Sequence, residues 1–149
     1  MVDIFIDPLT HDISLEDNQM RLTASVEELT RQKVAVTLLA FRGEWFANQT
    51  YGVPYLQQGT NTLQLLGKTN KNIADTEIKD AILTRDGVVS ITKYESSLDS
   101  QRNLIVSAEV LTETGETVTI VFDITEGIPA YTGAIAGIAI AGVAIAGTI

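Results

Sequence analysis

A carboxylate set against a large aromatic ring is one way a glycosidase keeps an acid protonated at neutral pH, and Glu44-Trp45 has that form. A second carboxylate would have to face it across a sugar cleft, and Glu95 and Asp99 are the candidates. Nineteen acids stand in this chain of 149 residues, so such pairs arise by chance, and an enzyme is not expected. A Ser/His/Asp arrangement would rest on His11, the sole histidine. It stands in a turn beside Asp12 with no nucleophile motif near it, and reads as a surface residue. With no cysteine and one histidine, a zinc site of thiolates or paired histidines is excluded. No Gly-Lys-Ser/Thr follows Gly115, Gly127 or the later glycines, so there is no phosphate loop, and Asp86-Gly87 and Asp99-Ser100 lack the ligand spacing of a calcium loop. The expected site therefore has no catalytic residue, no cofactor and no metal.

Charge points the same way. The formal net charge of −9 has the wrong sign for nucleic-acid binding, which rests on Lys and Arg at phosphates. Residues 1–30 hold seven acids and one base, and residues 103–149 five acids and no base. A basic partner surface is one reading of these acidic ends, solubility the plainer one.

One hydrophobic core is expected at this length, with 45% hydrophobic residues. The start, Val2-Asp3-Ile4-Phe5-Ile6-Asp7, breaks its apolar run too early for a signal peptide. Ile4 to Ile6, Ile13 to Leu15 and Met20 to Ala24 alternate with near period two around turn residues, which predicts a small antiparallel meander. Ser25-Val26-Glu27-Glu28 is a capping box, and Leu29, Val36 and Leu39, widened by Val34 and Leu38, carry a helix to about Phe41 before Gly43. Glu44 to Leu56 is a compact aromatic turn, and Thr60 to Leu66 is short and mixed. A second helix is expected from Asn72, a possible N-cap, to Arg85, with Ile73, Ile78, Ala81 and Ile82 inward and Gly87 as the stop. Strands follow at Val88–Tyr94, Leu104–Leu111 and Thr117–Ile124, the last two joined through Glu113-Thr114-Gly115-Glu116.

After Tyr131 the composition changes: Ala-Ile-Ala-Gly recurs every five residues from Ala134. Large apolar residues at Ile135, Ile138, Ile140, Val143 and Ile145 match neither helical nor strand period. Gly133 to Ile149 is uncharged and at the lower limit for a membrane helix, but lacks flanking bases and an aromatic belt. It reads as an arm lying in a neighbour's groove rather than as a membrane span.

The segment Leu39-Ala-Phe-Arg-Gly-Glu-Trp-Phe-Ala-Asn-Gln-Thr-Tyr-Gly-Val-Pro-Tyr-Leu56 closely resembles the helix-to-loop signature of phage baseplate proteins of the sheath-initiator family. In the Mu-like branch a helix ends in Gly-Glu-Trp-Phe, and Gly-Val-Pro-Tyr follows. Ile91-Thr-Lys-Tyr-Glu-Ser-Ser-Leu-Asp99, Arg102-Asn-Leu-Ile-Val and Thr112-Glu-Thr-Gly-Glu116 resemble that family's closing strands and hairpin, so the likeness spans roughly residues 9–124. Another branch carries a Glu-Pro-Arg motif, and none of Pro8, Pro54 or Pro129 stands in that context. A related branch is described as lysozyme-like.

Gly43, Gly52 and Pro54 suit a tight bend, with Trp45 and Phe46 expected in the core and Tyr51 and Tyr55 toward a neighbour. The expected architecture is α+β: two helices on an antiparallel or mixed sheet in residues 1–128, then a Gly/Ala/Ile-rich arm in 129–149 docked on partners. The resemblance implies a structural protein of the virion, in the tail baseplate, assembled in the host cytoplasm in several copies, about six per tail. It would bridge baseplate wedge proteins to the first ring of tail sheath protein, near the tail tube, with no nucleic acid and no membrane as partner. Strand addition at an edge beside Leu104–Leu111 or Thr117–Ile124 would carry it, with Val118, Ile120 and Phe122 at the contact. The alternative is a peptidoglycan-binding or lysozyme-like module of the tail.

Overall fold

The computed structural model describes residues 1–8, 10–55, 71–101, 103–125 and 128–131, with the backbone alone at 125 and 128–131. The Thr60–Leu66 stretch, Arg102 and the arm residues Ile135, Ile138, Ile140, Val143 and Ile145 lie outside them.

The meander forms where alternation placed it. Ile4 bridges Leu22 and Ile6 bridges Ile13, both antiparallel, and β1 (Leu15–Glu16) pairs with β2 (Gln19–Met20). Asp17 (φ 51°) and Asn18 (φ 61°) are both left-handed, as a two-residue hairpin turn requires for its twist to match the strands.

Helix α1 (Val26–Leu39) starts at Ser25, whose hydroxyl accepts from the Glu28 N–H at 3.1 Å. The Glu28 carboxylate reaches back one residue further than a capping box would, to the Ala24 N–H (2.7 Å), and its other oxygen pairs with Arg21 of the meander (2.7 Å). The buried face is Leu29, Thr30, Val34, Ala35, Thr37 and Leu38. Val36, expected inside, is 39% exposed, because the true stripe is rotated toward Ala35 and Thr37. The helix stops two residues short of Phe41 because Ala40 turns extended (ψ 133°) and the chain pairs with Val53 instead: Val53 N donates to Ala40 O (2.9 Å) and Arg42 N to Val53 O (3.0 Å). Gly52 (φ +92°) makes that approach possible, since a Cβ there would lie 2.4 Å from the Ala40 carbonyl oxygen.

Helix α2 (Lys71–Leu83) buries Ala74, Ile78, Ala81 and Ile82, one face at helical spacing. Ile73 is 36% exposed and Ala74 takes its expected place, while Asn72 lies inside the helix. Strands β3 (Val88–Leu98), β4 (Leu104–Thr112), β5 (Thr117–Thr125) and β6 (Ile128–Tyr131) form, among the described residues, an antiparallel sheet in the order β3-β4-β5-β6. Every second residue of β4 and β5 is buried, from Leu104 to Thr112 and from Val118 to Ile124. Both helices pack on that face, α1 over β4, β5 and β6 and α2 over β3. The fold is α+β, as expected. Strand β6 pairs Pro129 with Ile124, so the sheet runs through position 128 and on to Tyr131.

Candidate functional site

The bend after α1 is built by rings other than the expected ones. Tyr55 is fully buried, meets Phe41 edge-on at 5.3 Å and lies 6.3 Å from Phe122 of β5. Its hydroxyl donates to the Leu38 carbonyl at 2.5 Å, satisfying an acceptor in the last turn of α1. Burial, then the nearby Tyr94, pushes the Tyr55 phenol well above its ordinary value, so it stays a donor. Trp45 is 49% exposed and Phe46 91%, which corrects the expectation that they pack in the core. The exchange has a local cause. Turns over Phe41–Glu44 and Trp45–Asn48 carry Trp45 and Phe46 outward, while the Ala40–Val53 pairing draws Val53, Pro54 and Tyr55 inward. Tyr55 is therefore no neighbour-facing residue.

Tyr51 occupies the position half expected of it, partly exposed. Its hydroxyl shares a hydrogen bond with Thr37 Oγ1 (3.1 Å), Trp45 meets its ring edge-on at 5.4 Å, and the Arg85 guanidinium lies 5.1 Å from its centroid. Arg42 ties the bend to α2, with Nε donating to Gly52 O (3.2 Å) and Nη2 paired with Glu77 (3.6 Å). The result is an outward cluster of Glu44, Trp45, Phe46, Tyr51, Arg42 and Arg85, a composition typical of protein contacts. Sequence reading missed Phe41, Arg42 and Arg85. Gly43 (φ 94°) gave no signal for the first two, because a glycine stop ordinarily follows a helix that runs up to it.

The sheet margin differs in part from the expected one. Strand β4 is paired on both sides, β5 pairs with β6 over Phe122–Thr125 only, and Val118, Ile120 and Phe122 are at most 1% exposed. Their side chains belong to the core and do not face a partner. The longest margin without a strand partner among the described residues is the outer edge of β3, eleven residues long; the outer edge of β6 and the β6 side of β5 over Thr117–Val121 also lack one. It has register shifts at Val88–Ser90 and Ile91–Lys93, then runs evenly against β4 from Lys93 to Leu98. In the same alignment Asp99 N donates to Asn103 O (3.1 Å). Bonded pairs alternate, so Tyr94, Ser96 and Leu98 turn their N–H groups away from β4.

The polar cluster most like a reactive one lies between α2 and β3. Lys71 Nζ donates to Asp75 Oδ2 (2.8 Å) and Ser96 Oγ, and Tyr94 OH donates to Asp75 Oδ1 (3.0 Å). As a donor to both partners the ammonium has no lone pair with which to take a proton from Ser96, so the group acts as a clamp rather than a base. Burial, then the Asp75 carboxylate, pushes the Tyr94 phenol up. Burial alone would raise Asp75, but hydrogen bonds from Lys71, Ser96 and Tyr94 outweigh it and hold the carboxyl below its ordinary range. A depressed carboxylate stabilises the fold above its unfolded pKa and ceases to as pH falls through the folded one. Asp75→Asn is expected to cost about 1–2 kcal/mol at pH 7. In urea titrations at pH 7 and pH 3, the gap between the two proteins should narrow at the lower pH.

Glu44 is exposed on the bend, and Glu95 and Asp99 lie on β3 and in the turn after it. Asp99 accepts from Asn103 N (2.8 Å) and Nδ2 (2.7 Å). None of the three lines the clefts beside α1 or between α1 and α2. His11 lies in a left-handed turn (φ 57°), its N–H donating to Asp7 O (2.8 Å). Among the described residues no cluster of acids or histidine could hold a metal ion, and no helix is long and apolar enough to cross a membrane.

Comparison with known proteins gives one family and one fold. A family model described as contractile injection system sheath initiator matches residues 2–115. Among solved structures, a Geobacter sulfurreducens protein described as a candidate tail lysozyme superposes with a TM-score of 0.51. It is 18% identical, over 73% of this chain and 93% of the other, a likeness of fold. No curated protein matches the sequence.

Proposed function

The chain belongs to the contractile injection system sheath initiator family, a structural part of a contractile tail, and from that premise we propose that it starts the sheath by strand addition at β3. The observation that carries this reading is the outer edge of β3, where Tyr94, Ser96 and Leu98 offer backbone groups to a strand of the first sheath ring. Lys93 and Glu95, paired at 3.2 Å, put charge on this strand, which discourages edge-to-edge aggregation while leaving a matched strand free to add. The second contact is the bend: Glu44, Trp45, Phe46 and Tyr51 face the wedge proteins, and Gly43, Gly52 and Pro54 hold its shape. A Phe 91% exposed loses most of the burial a core position would give it, and a partner's apolar pocket restores it. In this reading the chain sits in the baseplate in several copies near the tail tube, and acts without catalysis. The repeat arm, with Ile135, Ile138, Ile140, Val143 and Ile145, extends toward neighbouring subunits in the assembled tail.

Proline separates the edge from the fold. Ser96 directs its N–H outward, so Ser96→Pro keeps the β3–β4 ladder while blocking an added strand. Ser96→Ala removes the hydroxyl that Lys71 also loses in the proline variant, and controls for it. Tails assembled with the proline variant are expected to carry tube but no sheath, and those with the alanine variant to be of normal form. Normal sheath on the proline variant would remove β3 from the account. The glycan-cleaving alternative draws on the description carried by the fold neighbour, and a turbidity assay on cell walls separates the two.

A further inference from the structure

The N-terminal meander turns its apolar side to solvent. Leu15 stands opposite Met20 and Ile4 opposite Leu22, so these four share one face with Ile13, two residues from Leu15. All five are 38–67% exposed among the described residues. The reverse face carries Phe5, Ser14, Arg21 and Thr23, which are buried or half-buried. Alternation ordinarily puts the polar residues outside, so a contiguous apolar outer face marks a contact. Acids flank it along the chain: Asp3 precedes Ile4, Asp12 precedes Ile13, and Glu16-Asp17 follows Leu15, all of them exposed. Asp3, Asp12 and Asp17 form no ion pair among the described residues. Arg21, the sole base of residues 1–30, is held on the inner side, its guanidinium 3.7 Å from the Phe5 centroid and paired with Glu28 (2.7 Å) and Glu16 (3.3 Å). Lys33 of α1 lines the cleft beside Ile4 and Ile13, and its ammonium is paired with Asp86 (3.9 Å).

We propose that this face binds a basic amphipathic helix of another protein, with the helix's apolar stripe on Leu15, Met20 and Leu22 and its Lys and Arg side chains on the flanking acids. Charge selects the occupant. A second copy would bring acids against acids, and an anionic membrane or a nucleic acid would meet the same repulsion. The width fits as well: the strands of Leu15, of Met20 and Leu22, and of Ile4 are paired in turn, so at about 4.8 Å spacing they span about 10 Å, the diameter of a helix. An added strand would pair at an edge and leave these side chains uncovered. Met20 gives the face an unbranched, adaptable side chain at its centre. This contact goes beyond those of β3 and the bend, and rests on neither.

The chain has no cysteine, so one introduced thiol reports on the face. Leu15→Cys and, as reference, Val89→Cys on β3 are made in the full chain at positions more than half exposed, where neither disturbs the core. The probe is a synthetic Leu/Lys peptide with leucine at helical spacing. It is expected to slow labelling of Leu15→Cys by a neutral thiol reagent about tenfold, read by mass spectrometry, and to leave Val89→Cys unchanged. Asp12→Asn with Asp17→Asn should remove most of that protection, while Glu113→Gln with Glu116→Gln, which takes the same charge from the β4–β5 hairpin, should keep it. Asparagine suits the left-handed backbone at Asp17 (φ 51°), so the turn survives the change. Equal protection of both thiols, protection by a Leu/Glu peptide or by anionic vesicles, or no protection would overturn the proposal. So would slow labelling before any peptide is added, which shows the face already covered, by a second copy where the rate falls with protein concentration.

Discussion

Phe122→Asp is expected to abolish cooperative folding. Phe122 has no exposed surface, its ring lies 6.3 Å from Tyr55, and Ile120 and Ile124 flank it on the same buried face of β5. Truncating such a ring costs about 3–5 kcal/mol, and leaving a carboxylate unpaired in its place adds several more, which together reach the whole stability of a typical domain. The facing of the sheet supplies the control. Ile105 on β4 points to the opposite face and is 40% exposed, so Ile105→Asp should shift the urea midpoint only slightly. If Phe122→Asp melted like the parent in circular dichroism and urea, the core as described would be wrong. The result also bears on assembly, because a defect in sheath formation from charge at Val118, Ile120 or Phe122 reports unfolding and not a lost contact.

Tyr55→Ala should be the most damaging change in the bend, at about 3–5 kcal/mol, because the ring joins Phe41 to Phe122 and so ties the end of α1 to the sheet. Tyr55→Phe isolates the hydroxyl. It keeps the ring and leaves the Leu38 carbonyl without its donor, for a loss of about 1–3 kcal/mol. Phe46→Ala, nine residues earlier, should leave the denaturant midpoint where it was, since Phe46 packs on almost nothing within the chain. A ranking in which Phe46 outweighed Tyr55 would reverse the assignment of the two rings. The contrast matters for function, because the substitution that spares the fold tests the bend as a contact surface.

The correction at the bend shows where sequence reasoning stops. Four aromatic residues within Trp45 to Tyr55 announce that something is packed, but not which ring turns inward. That choice follows from Ala40 pairing with Val53 across a close approach that Gly52 permits. The sheet edge is a similar case. The sequence marked strands at Leu104–Leu111 and Thr117–Ile124 and set Val118, Ile120 and Phe122 at a contact, yet a strand with one apolar face is equally compatible with an edge or a centre position. Pairing with β6, the short strand Ile128–Tyr131, covers the Phe122–Thr125 part of the side of β5 that was expected to be open.

What the sequence determined on its own was therefore local or compositional. Ser25 and Glu28 set the start of α1, Asp17-Asn18 and Glu113–Glu116 set the turns, period two marked the N-terminal meander, and the absence of cysteine excluded thiolate metal sites. Each is legible because its cause lies within a few residues along the chain. The tertiary structure decided which ring pins the bend, which strand is left at the margin, and that Val36 and Ile73 face outward. Those outcomes depend on contacts between segments far apart in sequence, where the burial of one side chain is fixed by which surface arrives to cover it.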